Sequence, residues 1–481
     1  MLSWQEYSSR DAVDLANLIR VGEVTAAEIH QTALEAAHAI EPRIGAFTEG
    51  PFESAQPSDP RGEFAGVPFA IKDLLITAAG VPSHGGSAAL AEGAAPEADS
   101  ILMSRFRAAG LNLIGTTKSP EFGLSVTTDQ KWRGPARNPW DTERSPGGSS
   151  GGSAALVAAG IVPVAHANDG AGSIRIPAAH TGLVGLKPSR GRVPIGPGQQ
   201  ELMYGNVVEF VVTRTVRDSA HLLDLVHGNA PGEKYGAPAP ARPYREEVED
   251  PSPRQLRIAV TAQGWDGQDI PPDVRNAIEI TAAALVELGH VVEEVKPEID
   301  WEGFLAALTT TWCAGTAAAV VPLLRAGVDR DLFEATTVAC AEAGQALSPV
   351  ELAVAFDRNN TVSRILGSFY QKWDLWVTPT SVGPAPSIGA FDADNPQYTA
   401  AEWVRRCVLP YPTCAVSNVT GGPAITLPLA QSSDGLPLGV QLSADIYRED
   451  ILLRTAAQLE HALPWATCGP AVHVTTQKGR R

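Results

Sequence analysis

The sequence predicts an α/β fold, with helices and strands alternating along the chain in the pattern of a sheet that carries packed helices. Three observations support this. The 481 residues are 44% hydrophobic and 19% charged, an ordinary globular balance. Short apolar runs rich in β-branched and aromatic residues recur between stretches of helical periodicity. No internal repeat or low-complexity tract interrupts them. Average domain size would divide the chain into two or three units, but large α/β enzymes keep one sheet over such lengths. A single domain spanning residues 1–481 is therefore expected.

The elements follow in order. Residues 9–40 have the pattern of two amphipathic helices, with Ser9 as a cap for the first. Thr25 followed by Glu28 makes a capping box for the second. Residues 66–76 (GVPFAIKDLLI) read as a buried strand entering a turn, 99–109 as a helix, and 111–115 as the next strand. From 145 to 192 the chain becomes rich in Gly, Ser and Ala. Within that stretch lie an apolar helix (SAALVAA), a strand over 160–166 and the start of a short helix. The prolines and charges of 229–253 read as a surface connection. Strand, helix and strand are expected at 256–260, 274–288 and 291–295. A long apolar helix follows at 304–324, with further strands at 373–380 and 423–428.

Charge and cysteine content narrow the function classes. The formal net charge is −17, and only the tail Lys478–Arg481 is locally basic. Nucleic-acid binding and association with anionic membranes are therefore not expected. The longest small and apolar run, 154–167, is broken by Gly160 and Pro163 and is too short to span a bilayer. The five cysteines (Cys313, Cys340, Cys407, Cys414 and Cys468) show neither disulfide-framework nor zinc-ligand spacing. A reducing cytoplasmic setting, no metal and no cofactor are the expectations.

Three stretches carry chemistry. The first, SPGGSSGGS at Ser145–Ser153, contains a G-x-S-x-G pattern centred on Ser149. An α/β-hydrolase elbow needs a strand immediately before it, and NPWDTERSP is charged and proline-broken. The second is NDGAGSIRIP at Asn168–Pro177. Successive N–H groups of Gly170, Ala171, Gly172 and Ser173 at a helix start would make an oxyanion site, with Ser173 placed for attack on a carbonyl. The third is Lys72 within FAIKDLLI. Apolar neighbours imply burial, and burial disfavours the ammonium form, so this lysine becomes a candidate general base.

Together these stretches resemble the amidase signature family. The correspondence comprises Gly66, Pro68, Lys72 and Asp73, then GGSSGGS at Gly147–Ser153, then Asp169–Pro177, then GLKP at Gly185–Pro188. It extends to ARNPWD, GGPAITLP and DGLPLGVQL. Within the family, the pattern is similar to amidases of the 6-aminohexanoate cyclic-dimer hydrolase type. The resemblance implies an α/β/α fold with a central twisted mixed sheet flanked by helices. It implies a catalytic core over 60–210 and a variable region over 230–400 that shapes the substrate entrance. It also implies Ser173 as nucleophile, Ser149 in a cis peptide bond as bridge and Lys72 as base. Ser150, Asp169 and Arg175 would support the nucleophile loop, and Trp312 and Cys313 would face the substrate.

The chain departs from the family pattern at Asn168, where Thr is usual, at Ala171, where Gly is usual, and at His180-Thr181 in place of Phe-Cys. The expected activity is hydrolysis of a carboxylic amide, with carbamates (urethanes), esters and nylon-oligomer amides as related substrates. A homodimer is an open expectation. The alternatives are a glutaminase-like subunit of a tRNA-dependent amidotransferase, and an esterase with Ser149 as nucleophile. A Ser-His-Asp triad from His166 or His180 with Asp169 is disfavoured, because a histidine ending a buried strand is usually structural.

Overall fold

The computed structural model describes residues 2–198, 201–249, 254–265, 270–465 and 469–476. Cys468 and the Lys478–Arg481 tail lie outside the described residues, as do 250–253 of the expected connection. Among the described residues, eleven strands join in one sheet. They are β1 (Phe47–Glu49), β2 (Pro68–Lys72), β3 (Asn112–Thr117), β4 (Val164–Asp169), β5 (Val184–Lys187) and β6 (Val208–Thr213). The rest are β7 (Arg257–Val260), β8 (Val291–Glu294), β9 (Leu375–Pro379), β10 (Ala424–Gln431) and β11 (Pro437–Ala444). Their order across the sheet is β1-β3-β2-β4-β6-β5-β10-β11-β9-β7-β8. β2 is parallel to β3 and β4, and β9, β7 and β8 are parallel to one another. The strands between these groups pair antiparallel. This is the α/β sheet that the sequence pattern predicts, mixed as the family resemblance implies.

Every residue of β2 and β4 is buried, which explains why both read as runs rather than alternations. The helix Ala26–Ile44 begins with the Thr25–Glu28 capping box and ends at left-handed Gly45. Ser9 does not cap the helix before it. That helix, Ala12–Arg20, starts at Asp11, whose side chain accepts from the Asp14 N–H at 2.9 Å. Ser9 instead terminates a short helix, Trp4–Ser8. The expected surface connection is also corrected in part. It contains the helix Tyr244–Glu249, with Tyr244 buried against the sheet-covering layer. A long helix, Trp301–Arg325, covers the other side of the molecule together with Ala335–Ala346 and Pro349–Tyr370.

Two large apolar clusters and two small ones result among the described residues. The larger joins β2, β4 and β6 to the N-terminal helices and to Glu449–Ala462. The second gathers Trp301, Phe304, Leu308, Trp312, Trp376 and Trp403 beneath the long helices.

Candidate active site

Lys72 ends β2 and Asp169 ends β4, so two neighbouring parallel strands deliver both residues to one edge of the sheet. Loops diverge at the carboxyl ends of such strands and leave a crevice. A cavity of about 470 Å³ lies there. Ser149, Asn168, Gly170, Ala171 and Ser173 line one side of it, and the 301–325 helix lines the other.

The Lys72 side chain is fully buried. Its Nζ donates to Ser149 Oγ and to Asn168 Oδ1, both at 2.6 Å. Burial pushes its ammonium down to about 7, against the opposing pull of the Asp169 and Glu209 carboxylates. Asn168 is itself held, because its Nδ2 donates to the Leu74 carbonyl at 3.1 Å. The sequence marked Asn168 only as a departure from the family pattern. In the fold it is the second acceptor for the lysine.

Ser149 follows a cis peptide bond from Gly148. A Cβ on Gly148 would sit 2.7 Å from the Thr127 backbone, so a residue with a side chain does not fit there. Ser150 joins the two serine loops. Its hydroxyl exchanges hydrogen bonds with the backbone of Asn168, and its N–H donates to the Ser173 carbonyl at 3.3 Å. No strand runs directly into Ser149, so the elbow context is absent.

Asp169 and Arg175 brace the 170–174 loop, both fully buried. Arg175 Nε and Nη2 donate to the two Asp169 oxygens at 3.0 and 2.9 Å. Burial alone would raise the Asp169 carboxyl, but Arg175 holds it well below the usual carboxylate range. Asn418 Oδ1 and Gln441 Oε1 accept the remaining guanidinium bonds at 2.6 and 2.7 Å. Gln441 lies within the DGLPLGVQL run, a usable sequence signal, whereas Asn418 has none.

The expected four-donor oxyanion site is corrected by one residue. The Gly172 N–H donates to Asp169 Oδ1 at 2.7 Å and is not available to a substrate. The N–H groups of Gly170, Ala171 and Ser173 donate to no acceptor among the described residues. Gly172 alone on this loop has a left-handed φ, +124°, so the methyl of Ala171 causes no strain. Ser173 is half-buried and faces the cavity. Its hydroxyl and that of Ser149 line the same space without a hydrogen bond between them. Catalytic hydrogen bonds often tighten only when substrate arrives.

Among the described residues, five non-glycine residues have left-handed φ. Leu75 (75°), Phe122 (48°) and Met203 (45°) line this cavity, and Tyr204 (57°) follows Met203. Such conformations cost on the order of 1–3 kcal/mol each and concentrate at functional sites.

Other candidates separate clearly. Trp312 lines the cavity, but Cys313 does not. One step along a helix turns a side chain by about 100°. Cys313 therefore points at the 335–346 helix, where its thiol pairs with that of Cys340. His166 accepts from the Lys72 N–H through Nδ1 at 3.3 Å and turns Nε2 to Glu209. His180 bonds the Tyr411 hydroxyl at 3.0 Å. Neither histidine reaches a serine of the site.

The amidase family model matches residues 27–453. The 6-aminohexanoate-cyclic-dimer hydrolase of Paenarthrobacter ureafaciens is 36% identical over 478 residues, covering 96% of each chain. A solved structure of 6-aminohexanoate cyclic dimer hydrolase with substrate superposes with a TM-score of 0.90 at 34% identity, covering 97% of this chain and 99% of that one. A bacterial aryl acylamidase of the amidase signature family superposes at 0.86 with 25% identity, covering 98% and 99%.

Proposed function

The chain belongs to the amidase family, and on that premise we propose that it hydrolyses neutral, apolar carboxylic amides through an acyl-enzyme on Ser173. The observation that carries this reading is the buried Lys72 bonded to Ser149 beside a serine loop with three unclaimed N–H groups. Neutral Lys72 takes a proton from Ser149 as Ser149 takes one from Ser173. Asn168 Oδ1 fixes one lysine N–H, which turns the nitrogen lone pair toward Ser149. The Ser173 oxygen attacks the carbonyl carbon, and the N–H groups of Gly170, Ala171 and Ser173 receive the oxyanion. The relay returns the proton to the leaving nitrogen, because an amide anion is too basic to depart. Water then enters, is deprotonated by the same relay, and releases the acid.

The cavity wall supports the choice of neutral substrate. Leu74, Leu90, Leu124, Ala319 and Leu323 are typical of it, and among the described residues no Asp, Glu, Arg or Lys lines it. A charged substrate end would lose its water there and gain no partner, at a cost of several kcal/mol. This weighs against a glutaminase-like subunit, whose substrate carries both an ammonium and a carboxylate. Carbamates and esters present the same carbonyl and fit the same wall. The relation to cyclic-dimer hydrolases brings cyclic 6-aminohexanoate amides into consideration.

The test is a panel of acyl anilides, cyclic amides, carbamates, esters and glutamine with the protein alone. Uncharged amides should exceed glutamine in kcat/KM by about a hundred-fold or more. Glutamine as the preferred substrate, or activity only with an added partner, would overturn the reading.

A further inference from the structure

The turn Leu202–Gly205 holds two consecutive non-glycine residues on left-handed backbone, Met203 and Tyr204. Their side chains diverge. Met203 lines the catalytic cavity, whereas Tyr204 lies on the outer side of the 301–325 helix against Phe356 of the 349–370 helix. Those two rings meet edge to face at 5.1 Å. The base of the turn is tied down by Arg190, whose Nε donates to the Gly205 carbonyl.

The position of Met203 is decisive. A methyl built on Gly170 would lie 3.2 Å from Met203 Sδ, and one built on Gly315 would lie 3.6 Å from Met203 Cγ. The thioether thus bridges from the oxyanion loop to the 301–325 helix, between two glycines that leave it room. A substrate arm lying along the Gly170–Ser173 loop must either stop at this side chain or displace it. Methionine is unbranched and polarizable, suited to a wall that yields.

We propose that Met203 is a specificity-determining residue, which limits the length of the apolar substrate arm beside the nucleophile loop, and that the Tyr204–Phe356 contact latches it in place. Tyr204 is a positioning residue that acts through the turn and does not touch substrate. The proposal rests on Ser173 being the nucleophile of this cavity, so the experiment separates the two ideas.

The experiment compares the wild type with Met203→Ala, Met203→Leu and Tyr204→Ala on two series. One is of acyl p-nitroanilides of increasing acyl length, and the other of amides of increasing N-alkyl length. A methylene accepted or refused by an apolar pocket changes kcat/KM by roughly ten-fold or more. In one of the two series, Met203→Ala should move the optimum to longer arms, chiefly through lower KM. Met203→Leu should restore the short-arm preference, and Tyr204→Ala should broaden the profile in the direction of Met203→Ala. Active Met203→Ala with the wild-type profile in both series overturns the inference alone. A wild type inactive on all amides, with Ser173 inert to a fluorophosphonate, overturns the functional reading beneath it.

Discussion

On one side of the cavity, the buried Lys72 bonds Ser149 and Asn168, and the adjoining loop is held by the buried Asp169–Arg175 pair. On the other, the 301–325 helix presents Trp312, Gly315, Ala318, Ala319 and Leu323, a surface defined by shape alone. A half-satisfied buried polar network costs more than an apolar core, so its members are individually irreplaceable. An apolar wall tolerates any side chains of suitable volume. The comparison teaches why chemistry and selectivity are separable here. On the proposed mechanism, the sheet edge carries the reaction in specific atoms, and the helices carry substrate preference in volume.

The largest test of that contrast is removal of the polar groups. Ser173→Ala and Lys72→Ala should each lower kcat by about a thousand-fold or more in steady-state amide hydrolysis. A Lys72→Ala protein near wild-type turnover would erase the distinction between the walls. Next in size is Asn168→Ala. Loss of a hydrogen bond to a charged group should cost about 10- to 100-fold. The acceptor also favours the ammonium form of Lys72. In wild type, kcat/KM should rise as pH passes about 7, where the buried lysine loses its proton. In Asn168→Ala the plateau should fall while that limb moves to lower pH. A lower plateau with an unmoved limb would leave Asn168 merely structural.

A smaller effect concerns the helical side, which also holds buried carboxyls. Glu334 immediately precedes the 335–346 helix, and its Oε1 accepts from the Lys131 N–H rather than from the helix's own first turn. Burial and then the nearby Glu121 carboxylate push it up to about 8. Asp394 adds to this, and Lys131 opposes it. The folded form keeps a proton that the unfolded chain releases above its ordinary value of 4.5. Stability is therefore lost as pH rises from there through about 8. Glu334→Gln should flatten that loss. Its melting temperature should fall less than that of the wild type between pH 5.5 and pH 9, about a few degrees' difference. Smallest of all, Ala319→Leu should alter KM for bulky amides by about ten-fold and leave kcat for the smallest unchanged.

Legibility in the sequence follows the same division. Local signals were readable: the Thr25–Glu28 capping box, the buried run of β2 and the amphipathic helices all depend on neighbours in the chain. Lys72, Ser149 and Ser173 came forward through the family resemblance of their three stretches, and the fold brings all three to one crevice. Less readable were the partners brought in by the fold. Asn418 and Gln441 reach Arg175 across more than two hundred residues of chain; the DGLPLGVQL run marks Gln441, but no local pattern announces Asn418. The fate of the Gly172 N–H depends on the Asp169 rotamer, which glycine-rich spacing does not encode. Cys313 was misassigned for a geometric reason, since its helix faces the cavity one residue earlier, at Trp312.

The most direct measurement is peptide mapping after incubation with a slowly released aryl carbamate, which leaves a carbamoyl group on the attacking oxygen. Desolvation of one amine, relayed through a bridging hydroxyl, places that mass on Ser173 in the wild type and on no residue in Lys72→Ala. A carbamoyl group on Ser149, or undiminished labelling of Ser173 without the lysine, would contradict it.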